Sequence, residues 1–394
     1  MEAAPAAALE DADWQAAGFG LYIHWPFCAA KCPYCDFNSH VSARIDQARW
    51  ARAYLAEIDR LGALVPGRVV QTVFFGGGTP SLMDPDVVAA VIARIRATWP
   101  VANAPEVTLE ANPTSAEAGR FAAYAQAGVT RLSLGVQALN DKDLRALGRL
   151  HSVAEARAAY EMARAAFDRV SFDLIHARQH QSLAGWRAEL TEALAMAVDH
   201  LSLYQLTIED GTAFGARHAA GGLRGLPDDD LAADMYALTQ DLCGAAGMPA
   251  YEVSNHARPG AESRHNLIYW RGGDWAGIGP GAHGRLTLAG RRLATSTPLA
   301  PGAWLEAVER KGSGALADAG VPAEEHATEY LMMSLRLTEG ADLARYARLA
   351  GAPLEAPRID TLAADGLVQR RGDRLACTQT GRVVLNGVLR ALLA

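Results

Sequence analysis

The sequence predicts an α/β fold: an open, partial (β/α)6 barrel followed by a small helical, winged-helix-like C-terminal domain. Three observations carry this reading. Short apolar, β-rich runs alternate with longer stretches of helical apolar spacing up to about residue 208. The runs are nearly continuous in apolar character, as strands covered by helices on a parallel sheet must be. There are six of them, too few to close an eight-fold barrel.

The six runs are GLYIHW (20–25), VVQTVFF (69–75), EVTLEA (106–111), RLSLGV (131–136), VSFDLIH (170–176) and HLSLYQLTI (200–208). IDQARWARAYLAEIDRLGAL supplies helical spacing between the first two. DPDVVAAVIARIRATW does so after the second, opening on Asp84 as N-cap with Pro85 in the first turn. After residue 212 the rhythm breaks into Gly- and Pro-rich connections (AAGGLRGLPDDD, RPGAES, RGGDWAGIGPGAHG) around one helix near 228–245, which reads as an elaborated edge of the main domain. From about residue 300 a helical stretch leads into APRIDTLAADGLVQRRGDRLACTQTGRVVLNGVLRALL: a helix, a hairpin and a final helix, the order of a winged-helix module. The expected division is an N-terminal segment 1–18, the barrel with its elaboration 19–300, and the C-terminal domain 301–394. The wing carries Arg370, Arg371 and Arg374 with Asp373 among them, which points to a packing or lid role and not to nucleic acid.

Composition narrows the function classes. Half of the 394 residues are hydrophobic and 21% are charged, which excludes a disordered chain. A formal net charge of −7 argues against binding nucleic acid through counterion release. The opening MEAAPAAALEDADW carries Glu and Asp where a secretory signal carries basic residues, and no apolar run reaches membrane-spanning length. Of five cysteines, Cys28, Cys32 and Cys35 crowd into eight residues while Cys243 and Cys377 stand apart, so metal binding in a reducing cytoplasm is expected in place of a disulfide framework.

The chemistry concentrates in YIHWPFCAAKCPYCDFNSH, where C-x3-C-x2-C lies on the loop leaving the first strand. A closed structural zinc site wants four ligands and commonly a second C-x2-C, which this chain lacks. Three thiolates can instead hold three corners of a [4Fe–4S] cluster and leave the fourth iron open. After the second strand, FFGGGTPS (74–81) lets backbone approach a ligand without a Cβ, or is simply a tight turn; it matches neither a Walker loop nor a dinucleotide fingerprint. Glu110, Gln137 and Asp173 fall within or just after the third, fourth and fifth strands. Each alone could be a satisfied core or capping group; together they mark one barrel mouth, where strand ends converge on ligands.

This pattern resembles the radical S-adenosylmethionine (SAM) superfamily, and within it the HemW-type haem chaperones of the oxygen-independent coproporphyrinogen III oxidase branch. The likeness runs from Tyr22 to about Leu385 and includes RLSLGVQ, YQLTIEDGT, YEVSNHARPGAESRHNLIYW and GIGPGAHG. It implies a [4Fe–4S] cluster on Cys28, Cys32 and Cys35, with Tyr22 against the adenosine or the cluster, and Tyr34 also among the cofactor-binding residues. Gly77, Gly78 and Thr79 would lie along SAM, Glu110 would take its ammonium, and Gln137, Arg149 and Asp173 would meet its carboxylate and ribose. The oxidases carry a further Cys two positions after the third, where this chain has Phe37, and a longer segment before the first strand. Both departures favour the chaperone branch, which implies haem as cargo and delivery to haem proteins such as membrane-bound respiratory enzymes, without porphyrinogen decarboxylation. SAM cleavage stays open and no residue is assigned a catalytic role. In HNLIYW, His265 is the first expected haem ligand with Tyr269 and Trp270 flanking the porphyrin, and His283 is the second choice. Where these families continue DLI with an aromatic and Gly-Leu-Pro-Gly, this chain reads DLIHARQHQS; His176 and His180 there read as solvated loop histidines, with extra metal or haem ligation as the alternative. A porphyrinogen oxidase, a radical SAM methyltransferase and a zinc scaffold are the competing readings.

Overall fold

The computed structural model describes residues 13–42 and 44–394. Most of the expected 1–18 segment, residues 1–12, lies outside the described residues. Six strands, β1 (Phe19–Trp25), β2 (Val70–Gly77), β3 (Val101–Ala111), β4 (Arg131–Gln137), β5 (Arg169–His176) and β6 (His200–Gln205), pair in sequence order and in parallel. Parallel neighbours need a crossover, and helices supply it. These are α1 (Gln47–Leu64), α2 (Pro85–Thr98), α3 (Phe121–Ala127), α4 (Val153–Ala166) and α5 (Leu183–Met196). Their starts are fixed locally: Asp46 accepts from the Arg49 amide, Ser152 and Glu155 form a capping box, and Ser182 accepts from Gly185. Helix α2 begins with Asp84 before Pro85, though the Asp84 side chain makes no cap bond.

The register brings the carboxyl ends of the strands to one rim. Trp25 of β1 lies beside Gly77 of β2, Glu110 of β3 beside Ser133 of β4, and Gln137 of β4 beside Leu174 of β5. Below that rim an apolar core joins the strands to the outer helices. Its aromatic centre is Trp25, Trp50, Tyr54 and Trp304, with the Trp50 and Trp304 rings stacked 5.6 Å apart. Burial on this scale removes apolar surface at about 25 cal/mol per Å2 and is the main stabilising contribution.

Among the described residues the sheet extends further than the sequence suggests, to eleven strands. After α6 (Asp229–Ala245), β7 (Asn255–Ala257) runs antiparallel to β6. Following α7 (Arg264–Trp270), β8 (Asp274–Ile278) pairs in parallel with the outer side of β1. A hairpin, β9 (His283–Leu288) and β10 (Arg291–Ser296), continues that edge, ending at β11 (Ala319–Gly320). Ala289 and Gly290 have φ of 48° and 70°, the two positive values that let a two-residue turn match strand twist. Buried Asp274 pins this edge by accepting from Arg68, Arg292 and the Thr287 hydroxyl.

Helix α8 (Pro301–Lys311), grouped by sequence with the C-terminal domain, delivers Trp304, Leu305 and Val308 to the barrel core. A second apolar core, including Leu331, Leu335, Ile359, Leu375 and Leu389, gathers α9 (Ala323–Ser334), α10 (Leu343–Ala350), α11 (Ala356–Ala364), a small three-stranded sheet and α12 (Leu385–Leu393). The hairpin 368–377 packs as expected: Arg371 donates to the Thr338 carbonyl, and Arg374 pairs with Glu339, which also holds Arg271. Among the described residues no helix is long and apolar enough to cross a membrane.

Candidate cofactor site

The loop leaving β1 is clamped before it carries any chemistry. Residues 27–28 pair in parallel with 40–41, so the cysteine loop closes on itself. The Gly78 amide donates to the Trp25 carbonyl at 2.7 Å and the Thr79 amide to the Phe27 carbonyl at 2.8 Å. A Cβ at Gly78 would stand 2.7 Å from Phe27 backbone, and Gly77 has φ of 111°. Both positions therefore need glycine for this approach, which identifies the work of the Gly triplet. On the far side Phe214 donates its amide to the Pro33 carbonyl.

One cavity of about 170 Å3 opens between this loop and the rim, and it gathers Cys28, Cys32, Cys35, Tyr34, Gly77, Gly78, Thr79, Glu110, Gln137, Arg149 and Asp173. The thiols are already oriented. The Thr79 hydroxyl donates to Cys28 Sγ at 3.4 Å and Arg149 Nη1 to Cys32 Sγ at 3.3 Å. Burial pushes the Cys28 and Cys35 thiols up from their ordinary range, so loss of the protons awaits a metal. Among the described residues no three His, Cys, Asp or Glu side chains are close enough to hold a single metal ion.

The carboxyl groups are the less settled part. Burial, reinforced by Asp173, pushes Glu110 up to about 8, and the Gly77 amide offsets this only in part. Asp173 is pushed up to about 6 by burial, against the Gln137 amide at 2.7 Å and the Arg149 charge. Arg149 donates to Asn112 Oδ1 at 2.6 Å and to the Gly135 carbonyl at 2.8 Å, but its buried Nε has no partner. Gln137 sits at φ of 70°, a conformation that costs a non-glycine residue about 1 kcal/mol or more and that accumulates at ligand sites. Two buried carboxyls with no ion-pair partner among the described residues, an orphan guanidinium donor and three thiols are the groups a zwitterionic, sulfonium-bearing ligand beside an iron–sulfur cluster would satisfy, so the residues fit both.

The structure does not bring every expected residue here. Tyr22 turns into the barrel interior, its hydroxyl 3.0 Å from His24 Nδ1 and its ring over Phe74, and it does not line the cavity. His265 is fully buried, with Nδ1 2.7 Å from the Thr72 hydroxyl and Nε2 2.6 Å from the Tyr269 hydroxyl. Neither nitrogen is free for an axial position, because both serve the packing of α7 against the amino ends of β1 and β2. The Tyr269 ring meets Trp275 edge-on, and Trp270 lies under the Arg336 guanidinium. His283, by contrast, is exposed. His176 is buried against Trp186, correcting the expectation of a solvated histidine, whereas His180 is exposed. In that loop Arg178 takes the structural role, paired with Asp143 at 2.9 Å and Glu189 at 2.6 Å. Asn112, Ser202 and Tyr204 line the cavity and were missed, although Asn112 follows Glu110 by two positions and Tyr204 is the penultimate residue of β6, the signal that found the others.

A model of the radical SAM superfamily matches residues 22–182, and a model of the HemN C-terminal domain matches 321–384. Coproporphyrinogen III oxidase (HemN) from Escherichia coli, described as a radical SAM enzyme, superposes with a TM-score of 0.79 over 97% of this chain and 93% of its own; at 21% identity it speaks for the fold. Fold and site thus define a radical SAM protein, the class that implies a [4Fe–4S] cluster and SAM. The heme chaperone HemW of Escherichia coli is 38% identical over 95% of this chain and 98% of its own, and that of Mycobacterium tuberculosis is 39% identical over 95% of each. The mitochondrial radical S-adenosyl methionine domain-containing protein 1 of Bos taurus is 39% identical, covering 95% of this chain and 87% of the relative. The chain belongs to the HemW family.

Proposed function

We propose that this chain is a haem chaperone that holds a [4Fe–4S] cluster and SAM, takes up haem and hands it to recipient haem proteins, respiratory enzymes among them, from the cytoplasm. The observation that carries the cofactor half is the single cavity uniting three thiols with Glu110, Asp173 and the unpartnered Arg149 Nε. The haem half is supported by the full-length similarity to proteins named heme chaperones.

When bound, the cluster supplies an iron with a free coordination position for the amino-acid end of SAM. Cys28, Cys32 and Cys35 hold its other corners, Thr79 and Arg149 steadying two of the sulfurs. Glu110, costly to ionise alone at this depth, accepts the SAM ammonium. Arg149 Nε donates to the carboxylate, Asp173 and Gln137 receive the ribose hydroxyls, and the backbone at Gly77–Thr79 permits close approach. Tyr34 and Phe214, 6.3 Å apart, close the loop side against water.

Anaerobically reconstituted protein tests this. Blue-region absorbance bleached by dithionite, a SAM-dependent change in the spectrum of the reduced cluster, a Soret band on adding haemin and transfer of that band to an apo-haem protein are expected. Cys32→Ala should abolish the iron signal while leaving circular dichroism unchanged. Decarboxylated porphyrin appearing with 5′-deoxyadenosine would replace this reading with the oxidase, and zinc as the sole metal would remove it altogether.

A further inference from the structure

With His265 sealed inside the barrel, haem needs another seat. We infer that haem docks outside the barrel, on an apolar patch beside the cysteine loop formed by Phe37, Val41 and Leu299, with His283 as its iron ligand and His40 as the second imidazole.

Phe37, Val41 and Leu299 are 59%, 61% and 62% exposed, an arrangement water opposes unless something covers them. They belong to one structural unit although they are far apart in sequence. The Asn38 amide nitrogen donates to the carbonyls of Pro280 at 3.0 Å and Leu299 at 2.9 Å, stitching the cysteine loop to the turns on either side of β9 and β10. His283 begins β9 three residues after Pro280, is exposed, and makes no side-chain hydrogen bond among the described residues.

The same asparagine sets His40. With its nitrogen spent on two carbonyls, Asn38 presents Oδ1 to His40 Nε2 at 3.1 Å, so Nε2 must donate. The tautomer that donates from Nε2 carries its lone pair on Nδ1. A carbonyl acceptor behind an imidazole that fixes its tautomer and orientation is the usual support of a metal-binding histidine. Cationic side chains flank the same segment and suit the propionates, Lys31 also lining the cofactor cavity. Lys31 and Arg44 are exposed and form no ion pair among the described residues, and Asp36 is the one carboxylate between residues 28 and 41. A flat apolar macrocycle with a metal that binds imidazole and two carboxylates at one edge matches apolar floor, histidines and cations together.

The patch adjoins the cofactor site: Phe37 lines that cavity, and Cys28 is the register partner of Val41. Haem so placed would lie against the loop that holds the cluster, and its release would be open to changes in that loop.

The inference rests on the chaperone reading, and a haemin titration of the full-length, cluster-reconstituted protein separates the two. In His283→Ala we expect haemin affinity to fall at least about ten-fold, with the Soret band shifted, and in Leu299→Ser a smaller loss. Cluster iron, dithionite bleaching and the SAM-dependent spectral change should be unaltered in both, since neither side chain enters the cavity. His40→Ala should change the coordination signature of bound ferric haem in electron paramagnetic resonance. Wild-type affinity and spectra in His283→Ala and Leu299→Ser would overturn the site while leaving the chaperone reading in place. No haemin binding by the wild type would overturn both.

Discussion

The two ends of the barrel carry similar residues and differ in how their histidine and acids are met, although Arg131 Nη2 and Trp270 Nε1 near the floor also lack partners. At the amino-terminal floor, His265 bonds Thr72 and Tyr269, its amide donates to Glu106, and Glu106 pairs with buried Arg131. At the carboxyl-terminal mouth, Glu110 and Asp173 are pushed toward neutrality, Arg149 Nε is orphaned and Gln137 is strained. HNLIYW and the Glu110–Gln137–Asp173 set look equally chemical as sequence. The difference teaches that acids pushed toward neutrality beside a strained backbone and an orphan guanidinium donor, rather than the presence of His, Tyr or Glu, mark a ligand site, and that barrels keep function at the carboxyl face and stability at the other.

The largest effect expected is acid sensitivity of the buried histidines, set by burial at both ends of the sheet. Burial lowers His265 and His256 to about 3, and His176 to about 4, from an ordinary 6.5. These neutral imidazoles stabilise the fold above pH 6.5, and the contribution is lost as pH falls from 6.5 toward 3 to 4, by about 1.4 kcal/mol per unit for each fully effective group. Denaturant melts at pH 7 and pH 5 should therefore differ by several kcal/mol; equal stabilities would mean that these histidines are not sealed. Next, His265→Ala leaves Thr72 and Tyr269 unpaired around a void and should cost about 3 to 5 kcal/mol. Haem bound per folded molecule should stay unchanged, and a selective loss of haem from a stable variant would restore HNLIYW as the haem segment.

At the mouth the sign reverses. Glu110→Gln removes a carboxyl that burial makes costly, so the cofactor-free variant should be more stable than wild type by about 1 to 3 kcal/mol at neutral pH. The gap should widen as pH rises from about 4.5 to about 8, and the thermal shift on adding SAM should vanish. A destabilised variant would show that Glu110 is already satisfied. The smallest effect belongs to the altered loop after β5, where Ala177 sits at φ of 57°. Ala177→Gly should gain about 1 kcal/mol at most, seen as a small rise in Tm, with SAM and haem binding untouched.

Much of this was legible in the residues. The six parallel strands announced themselves as apolar runs, and the cysteine spacing, the glycine triplet and the polar strand ends all reached one cavity. Strands β8 to β10 were hidden because RGGDWAGIGPGAHG reads as loop in composition; only the Ala289-Gly290 pair between RLTL and RRLATS signalled the hairpin. Tyr22 was expected at the site from the resemblance alone; the structure sets its hydroxyl on His24 Nδ1, outside the residues that line the cavity.

The sequence alone determined local properties: which segments prefer strand or helix, where a chain must lack a Cβ, and which three thiols crowd onto one loop. Tertiary structure alone decided which polar groups meet each other. A histidine's nitrogens are spoken for, or free, according to partners that lie 193 residues away, as Thr72 does from His265, and no pattern along the chain records that distance in space.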